Sequence, residues 1–368
     1  MPDPFRFVDD LGPEKVMELY DPSTELRAVL VVDNVARGPS IGGVRMAPDV
    51  SVEECFRLAR AMTLKNSVAG LPHGGGKSVI FADPGMPAAD KERLIRSFAR
   101  AIEDVEDYIV GPDMGTDETA MAWIRDAIGR SVGLPRAVGG IPLDEIGATG
   151  FGLAVALEVA EDFHDFRIEG GRVVVQGFGA VGTHAARFLE ERGAKLVGVS
   201  DSRGGRVSPE GFDLARLLDF KDEGHSVAEY DEGEAVDGDE IVDVECEIWI
   251  PAARPDVLTV DNVDRLNARV VAEGANIPAS PEAEASLADR GILVLPDFIA
   301  NAGGVICAAV EYAGGTEARA FEVIEEKIGA NVREMLSRAE ESGRGPREVA
   351  LEMARERVIE AMSFRRSW

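Results

Sequence analysis

The tightest constraint on the fold is the run Gly177-Phe178-Gly179-Ala180-Val181-Gly182, which stands between a β-rich stretch, Arg172–Gln176 (RVVVQ), and a helical pattern over 183–191. Glycines spaced G-x-G-x-x-G at a strand-to-helix junction have separate jobs. The first makes the turn, the second lets backbone approach a pyrophosphate, and the third lets the helix pack closely on the strand. Taken alone, such a run is usually only a turn. Here the next β-rich segment, 195–200, ends at Asp201, 19 residues after Gly182, where an acid takes ribose hydroxyls. The sequence therefore predicts a dinucleotide site built from Gly177, Phe178, Gly179, Ala180, Val181, Gly182, Asp201 and Ser202, with the pyrophosphate on the helix N-terminus. A carboxylate repels a 2′-phosphate, which favours NAD; Ser202 and Arg203 could both contact phosphate, so NADP stays open.

A chain of 368 residues is too long for one hydrophobic core, since cores stop growing near about 250–300 residues. Upstream of the fingerprint, LRAVLVVD (26–33) reads as a strand. Ser51 and Glu54 read as a capping box opening a helix that runs to about Val68, and helical patterns recur near 88–104 and 117–129. From Ile141 a Gly-rich turn leads into a long helical run, DEIGATGFGLAVALEVAEDF, and short strands follow the fingerprint at 247–250, 269–272 and 292–295. Strands alternating with helices argue for a parallel sheet wound with helices. Beyond Asn301 the chain reads as almost wholly helical. The expected architecture is α/β in two domains: an N-terminal α/β domain over 1–138, a Rossmann dinucleotide-binding domain over 139–320, and C-terminal helices, 321–368, that return to the first domain.

Acidic residues outnumber basic ones 67 to 39, a net charge of -28, so nucleic acid and anionic membranes are not expected partners. Only seven of the cations are lysines: Lys15, Lys65, Lys77, Lys91, Lys195, Lys221 and Lys327. An acidic, lysine-poor surface suits a halophilic protein, because salt near 1 M shortens the Debye length to about 3 Å and screens self-repulsion. Cys55, Cys246 and Cys307 lie far apart with no metal-ligand spacing, so neither a disulfide scaffold nor a metal site is expected. The N-terminal MPDPFRFVDD lacks the features of a signal peptide and no apolar run approaches the roughly 18 residues of a membrane span, which points to a cytoplasmic protein.

Against that shortage two lysines stand out. From 61 to 82 (AMTLKNSVAGLPHGGGKSVIFA) the only charged side chains are Lys65, on the late turns of the helix begun at Ser51, and Lys77, which follows three glycines and precedes an apolar strand at 78–81. Glycines beside a lysine leave room for a small ligand, and a lysine in low-dielectric surroundings shifts toward the range of a general base. On periodicity alone both could equally be surface residues. Gly76-Lys77-Ser78 ends like a phosphate-binding loop, but the glycine such a loop needs at position 71 is Leu71, which argues against an ATPase site. In GPDMGT, Asp113 lies on a tight turn after the apolar 108–110 and before a helix capped by Thr116. Strand ends are where α/β proteins place ligands, although a plain turn aspartate reads the same way.

Together these pieces resemble the glutamate/leucine/phenylalanine/valine dehydrogenase family. Gly42-Gly43-Val44-Arg45, Met62-Thr63-Leu64-Lys65-Asn66, Gly74-Gly75-Gly76-Lys77, Gly111-Pro112-Asp113, Thr149-Gly150-Phe151-Gly152, the glycine fingerprint, Glu273-Gly274-Ala275-Asn276 and Asn301-Ala302-Gly303-Gly304-Val305 occur in the family's order, over nearly the whole chain from about residue 20. The resemblance implies NAD(P)-dependent oxidative deamination of an L-α-amino acid to a 2-oxo acid and ammonia, with residues 1–138 binding substrate and forming oligomer contacts. It assigns Lys65 to the substrate α-carboxylate, Lys77 to the reacting carbon and its attacking water, and Asp113 to proton transfer at the nitrogen. Thr149 and Asn276 fall to the nicotinamide end, and Asn301 to both nicotinamide and substrate. Family members are homo-oligomers, often hexamers or octamers.

The resemblance also bears on the substrate side chain. Glutamate-specific members carry a lysine just before the first Gly-Gly pair and a serine three residues after Gly-Gly-Val; here those positions are Ile41 and Ala308. A γ-carboxylate buried against two apolar side chains would be left unpaired, at a cost of several kcal/mol. With Gly42 beside Ile41, and Met62 as a further apolar wall, a branched-chain or aromatic substrate is expected, and the site pattern is most similar to that of leucine dehydrogenases. The alternative is glutamate, since VSDSRGGRVSPEG and VAEGANIP look more like glutamate dehydrogenases. A reading of another class, a non-catalytic nucleotide-binding protein, would have no use for Lys65, Lys77 and Asp113 together.

Overall fold

The computed structural model describes residues 5–365, which divide into two compact units. One holds the chain up to Leu143, Val305–Ala320 and the chain from Leu351; the other holds Asp144–Gly304 and Phe321–Ala350. This differs from the expected ranges. The first break falls after Leu143 rather than 138, the segment 305–320 belongs with the N-terminal unit, and of the C-terminal helices only the part from Leu351 returns to it.

The N-terminal unit is a five-stranded sheet of β1 (Lys15–Asp21), β2 (Leu26–Asn34), β3 (Ser40–Ala47), β4 (Gly74–Phe81) and β5 (Tyr108–Pro112), in the order β1-β2-β4-β3-β5. β1, β2 and β4 pair antiparallel, while β3 runs parallel to both β4 and β5. β2 is an almost continuous apolar run because both sheet faces are covered. On one face Val29, Val31 and Val79 pack with Cys55, Phe56 and Ala59 of α1 (Val52–Val68). On the other, Leu30, Met46 and Ile80 pack with Ile95 and Phe98 of α2 (Ala88–Ala101) and Ile124 of α3 (Glu118–Ile128). β1 escapes the sequence reading because it is largely exposed; its ladder to β2, from Lys15↔Val32 to Asp21↔Leu26, holds it, helped by the half-buried Met17 and Leu19 against the core.

Two helix starts also differ from expectation. Ser51 does cap α1, accepting from the Glu54 N–H at 3.0 Å, but the Glu54 side chain leaves the cap for Arg45 at 2.5 Å, so only half a capping box forms. The cap of α3 is Asp117, which accepts from the Ala120 N–H at 2.8 Å. Thr116 instead donates its hydroxyl to the Val44 carbonyl at 2.8 Å and so ties the Asp113 turn to β3.

The second unit begins with α4 (Ala148–Ala160), shorter than the expected run, and continues through β6 (Arg172–Gln176), α5 (Ala180–Glu190), β7 (Lys195–Asp201), β8 (Gly204–Val207), α6 (Leu214–Asp222), β9 (Glu234–Val236), β10 (Ile248–Pro251), β11 (Val270–Ala272), α7 (Pro281–Asp289), β12 (Leu293–Leu295) and α8 (Asp297–Ala300). Its seven-stranded sheet has the order β12-β11-β10-β6-β7-β8-β9, parallel from β12 to β7, with β8 and β9 antiparallel at one edge. Trp249 of β10 is fully buried among Val174, Val197, Val271 and Leu287. β7 lies on one side of β6 and β10 on the other, so the winding reverses at the C-terminal end of β6, the place where such sheets open a ligand crevice.

The chain ends in α9 (Gly303–Tyr312), α10 (Glu317–Ser342) and α11 (Pro346–Ser363). Glu311 of α9 accepts the Ile141 N–H at 2.7 Å, and the later turns of α11 pack on α1, where Ser67 donates to the Ala354 carbonyl at 2.8 Å. Among the described residues no helix is long and apolar enough to cross a membrane, and Cys55, Cys246 and Cys307 are free and buried.

Candidate active site and dinucleotide cavity

Three adjacent strands of the N-terminal unit converge on one ion pair. Lys77 lies within β4, whose first three residues are the glycines 74–76, and Asp113 follows the end of β5; between them runs β3. Lys77 Nζ is ion-paired with Asp113 Oδ2. Arg45 of β3 closes on the same carboxylate, Nε to Oδ2 at 3.3 Å and Nη2 to Oδ1 at 3.4 Å. Gly43 makes the approach possible, because a Cβ there would stand 2.8 Å from Asp113 Cβ and 3.2 Å from Lys77 Nζ. Burial alone would push the Asp113 carboxyl up, but the Lys77 ammonium and Arg45 guanidinium outweigh it and hold it below its ordinary value. Asp113 is therefore an ionised acceptor beside a nearly buried cation. Lys77 is thus not a surface residue: it is 6% exposed, and its partner arrives just after the end of another strand.

In the second unit the backbone at the fingerprint glycines has the geometry their spacing implies. Gly177 has φ 94, and a Cβ on it would come within 2.5 Å of Ala253 backbone; a Cβ on Gly182 would come within 2.1 Å of the Gly177 carbonyl. Gly179, the N-cap of α5, would meet nothing within 4 Å, so its backbone lies open at the helix N-terminus. A cavity of about 730 Å³ opens here. Gly177, Phe178, Gly179, Asp201, Ser202 and Arg203 line one part of it, and Lys221, Ser226 and Arg254 another. An open cradle beside a helix N-terminus fits a dinucleotide pyrophosphate.

Asp201 is already well supplied with donors. Oδ1 accepts from the Arg203 N–H at 3.0 Å and Ser226 Oγ at 2.7 Å, and Oδ2 from the Val227 N–H at 2.9 Å and Lys221 Nζ at 3.1 Å. Burial works against its charge, yet these bonds, Ser226 foremost, bring its pKa down to about 2.

A third grouping lies at the start of α4. Asn301 Nδ2 donates to the Gly274 carbonyl at 3.2 Å, the Ala275 carbonyl at 3.3 Å and Asn276 Oδ1 at 3.1 Å. Gly303 sits so close to α4 that a Cβ on it would fall 2.0 Å from the Ala148 carbonyl oxygen and 3.1 Å from Thr149 Cα. Thr149, Asn276 and Asn301 are thus gathered within one unit, from three distant parts of the sequence.

The family model for glutamate/leucine/phenylalanine/valine dehydrogenase matches residues 139–366, and that for the Glu/Leu/Phe/Val dehydrogenase dimerisation domain matches residues 13–130. The chain belongs to this family. It is an amino acid dehydrogenase, an oxidoreductase, and the non-catalytic reading is set aside. A glutamate dehydrogenase of Aeropyrum pernix is 39% identical over 355 residues, covering 90% of this chain and 85% of that protein. Among solved structures, hetero-hexameric glutamate dehydrogenase from Thermus thermophilus in its Leu-bound form superposes with a TM-score of 0.86 at 33% identity, covering 97% of this chain and 91% of that one. L-tryptophan dehydrogenase from Nostoc punctiforme superposes with a TM-score of 0.74 at 27% identity, covering 96% and 98%. NAD-specific and NADP-specific glutamate dehydrogenases both occur among the relatives.

In this dehydrogenase Ile41 and Gly42 lie buried on β3, Ala308 is buried on α9, and Met62 and Lys65 are half-buried on the last turns of α1, the helix that packs on β4. Of the expected cofactor residues, Thr149, Ala180, Val181, Gly182, Asn276 and Asn301 do not line the cavity, and Phe178 offers only backbone because its side chain is buried. Arg45 was visible in Gly42-Gly43-Val44-Arg45 but not its grip on Asp113. Lys221 was visible only as one of seven lysines. Among the described residues no group of three or more His, Cys, Asp or Glu side chains could hold a metal ion.

Proposed function

We propose that this dehydrogenase interconverts an L-α-amino acid bearing an apolar side chain, branched or aromatic, with its 2-oxo acid and ammonia. The observation that carries the chemistry is the Lys77–Asp113 pair, a nearly buried cation against a carboxylate kept ionised. Lys65 holds the substrate α-carboxylate as a fixed cation. Lys77 hydrogen-bonds the oxo oxygen, polarising the reacting carbon, and in deamination orients the water that attacks the imine. Asp113 takes and returns the proton on the substrate nitrogen. Thr149, Asn276 and Asn301 orient the groups at the nicotinamide end. The chemistry that a bound nicotinamide dinucleotide supplies is a hydride accepted from, or given to, the substrate α-carbon; the chain's share is positioning and electrostatics.

The apolar preference rests on Ile41 and Ala308, which are 3% and 6% exposed and offer a γ-carboxylate no partner. Glutamate is the second reading, favoured by the names of relatives such as the Aeropyrum pernix protein. NAD is the preferred cofactor through Asp201, and Lys221 with Arg203 beside it offsets enough charge to admit NADP. The match to a dimerisation domain supports a homo-oligomer, and the similarity to a hetero-hexameric enzyme supports six subunits before eight. The net charge of -28 supports adaptation to high salt.

One assay tests these assignments: absorbance at the nicotinamide band with ammonium, NADH or NADPH and a panel of 2-oxo acids, in molar KCl and in dilute buffer. Branched or aromatic acids should turn over fastest, NADH should outperform NADPH, and activity should fall in dilute buffer. Preference for 2-oxoglutarate would overturn the side-chain assignment, and full activity in dilute buffer would remove the salt adaptation.

A further inference from the structure

The loop after β11, Gly274-Ala275-Asn276-Ile277, is braced from behind by one arginine. Arg347, in the first turn of α11, sets its guanidinium among carboxylates from three elements. Nη2 meets Glu273 Oε2 at 2.5 Å at the end of β11, Nε meets both oxygens of Glu284 of α7 at 2.7 and 2.8 Å, and Nη1 meets Asp297 Oδ1 at 3.0 Å at the start of α8. The guanidinium also lies over the Phe298 ring, 5.6 Å from its centroid. One of these carboxylates holds the loop, and a second holds the first. Asp297 Oδ2 accepts the Ile277 N–H at 2.9 Å, and Glu273 Oε2 accepts the Asp297 N–H at 2.9 Å.

Ile277 needs that hold. Its φ is 50, a left-handed conformation that a β-branched residue avoids, and its side chain is exposed, so no core packing compensates. Strain of this kind persists only where neighbours over-determine it, and it concentrates at ligand sites. Here the neighbours are Asp297, on the Ile277 N–H, and Asp256, whose N–H donates to the Ile277 carbonyl at 3.0 Å. Asn276 precedes this residue and receives the Asn301 amide.

We propose that Arg347 is a positioning residue of this dehydrogenase: by clamping Glu273 and Asp297 it lets Asp297 lock Ile277 in its strained conformation, and so sets Asn276 and Asn301 for the nicotinamide. This rests on the assignment of those two asparagines to the nicotinamide end. The charged groups facing one another are Glu273, Glu284, Asp297 and Arg347, one cation against three acids. Burial pushes the Glu273 carboxyl up, and its acidic neighbours push further against the pull of Arg347. Without the arginine, buried carboxylates are left to repel or to bind protons, so the damage should grow as pH rises.

The test uses the full chain with Arg347→Met and Arg347→Lys. Backbone hydrogen exchange across 274–277, measured without ligand, should speed up in Arg347→Met. The KM for NADH should rise roughly tenfold and kcat should fall, as a small misplacement of reacting groups can cost that much or more. The KM for the 2-oxo acid should rise less than that for NADH, since of the two asparagines only Asn301 is also assigned to the substrate, and the defect should be smaller at pH 6 than at pH 8.5. Arg347→Lys keeps the charge but cannot bridge three acids at once, so it should show the same localised changes at smaller size and serves if the Met variant does not fold. A lowered Tm with unchanged loop exchange and unchanged NADH KM would overturn the proposal. If the wild type neither binds NADH nor turns over, the functional assignment fails, and loop exchange alone decides whether Arg347 holds this loop.

Discussion

The two charge clusters handle buried carboxylates in opposite ways. In the N-terminal unit Lys77 and Arg45 face Asp113 and Glu54, two cations for two anions, and Asp113 is held below its ordinary pKa. In the other unit Arg347 faces Glu273, Glu284 and Asp297, and burial, with the two other acids adding to it against the pull of Arg347, pushes the Glu273 carboxyl up to about 8. Matched charges keep a carboxylate ionised and ready to accept a proton from a ligand. An excess of acid around one arginine does the reverse: with Glu273 at 0% exposure, its carboxyl is pushed toward the protonated form. Charge ratio and burial together separate a reactive carboxylate from a structural one.

Breaking the balanced cluster should have the largest effect. Lys77→Ala leaves Asp113 with Arg45 alone and, on the proposed mechanism, removes the cation from the reacting carbon, so kcat should fall by roughly 10³-fold, the scale of losing one preorganised donor. NADH binding, followed by fluorescence titration, should be intact because the dinucleotide cavity lies in the other unit. Near-normal turnover would take Lys77 out of the mechanism. Adding charge beside the balanced cluster is the next test. Ile41→Lys should raise kcat/KM for 2-oxoglutarate by about tenfold to a hundredfold relative to the wild type, since pairing a substrate carboxylate discriminates strongly. An unchanged substrate profile would place Ile41 outside the pocket.

The smallest effect should come from relieving the unbalanced cluster. Between the ordinary value of 4.5 and about 8, folded Glu273 keeps a proton that the unfolded chain has released. Its contribution to stability is therefore largest at low pH and falls as pH rises through that window. Glu273→Gln removes this dependence, so its Tm should decline less than that of the wild type between pH 5 and pH 8.5. Parallel declines would show that Glu273 ionises as an ordinary carboxyl.

Much of the fold was legible because it follows from local physics. The strand-glycine-helix unit at 172–190, the apolar strand at 26–34 and the helix opened by Ser51 each follow from dihedral freedom, periodicity or capping within a few residues. Lys77 and Asp113 could be picked out because each stands alone in apolar or turn surroundings. β1, β8 and β9 could not, since they lie at or next to sheet edges and are held more by ladders than by burial. Glu54 looked like half of a capping box because the sequence cannot show Arg45 competing for it.

The sequence by itself determined the family, the dinucleotide turn and the apolar character of Ile41 and Ala308, since these depend on residue type and short spacing. Only the tertiary structure decided which charges meet. Asp113 reaches Lys77 because Gly43 lets two strands close on it, Lys221 reaches Asp201 from the end of α6, and Arg347 joins three acids that the chain order keeps apart. Coulomb attraction and desolvation depend on distance and burial, and neither can be read from the order of residues along the chain.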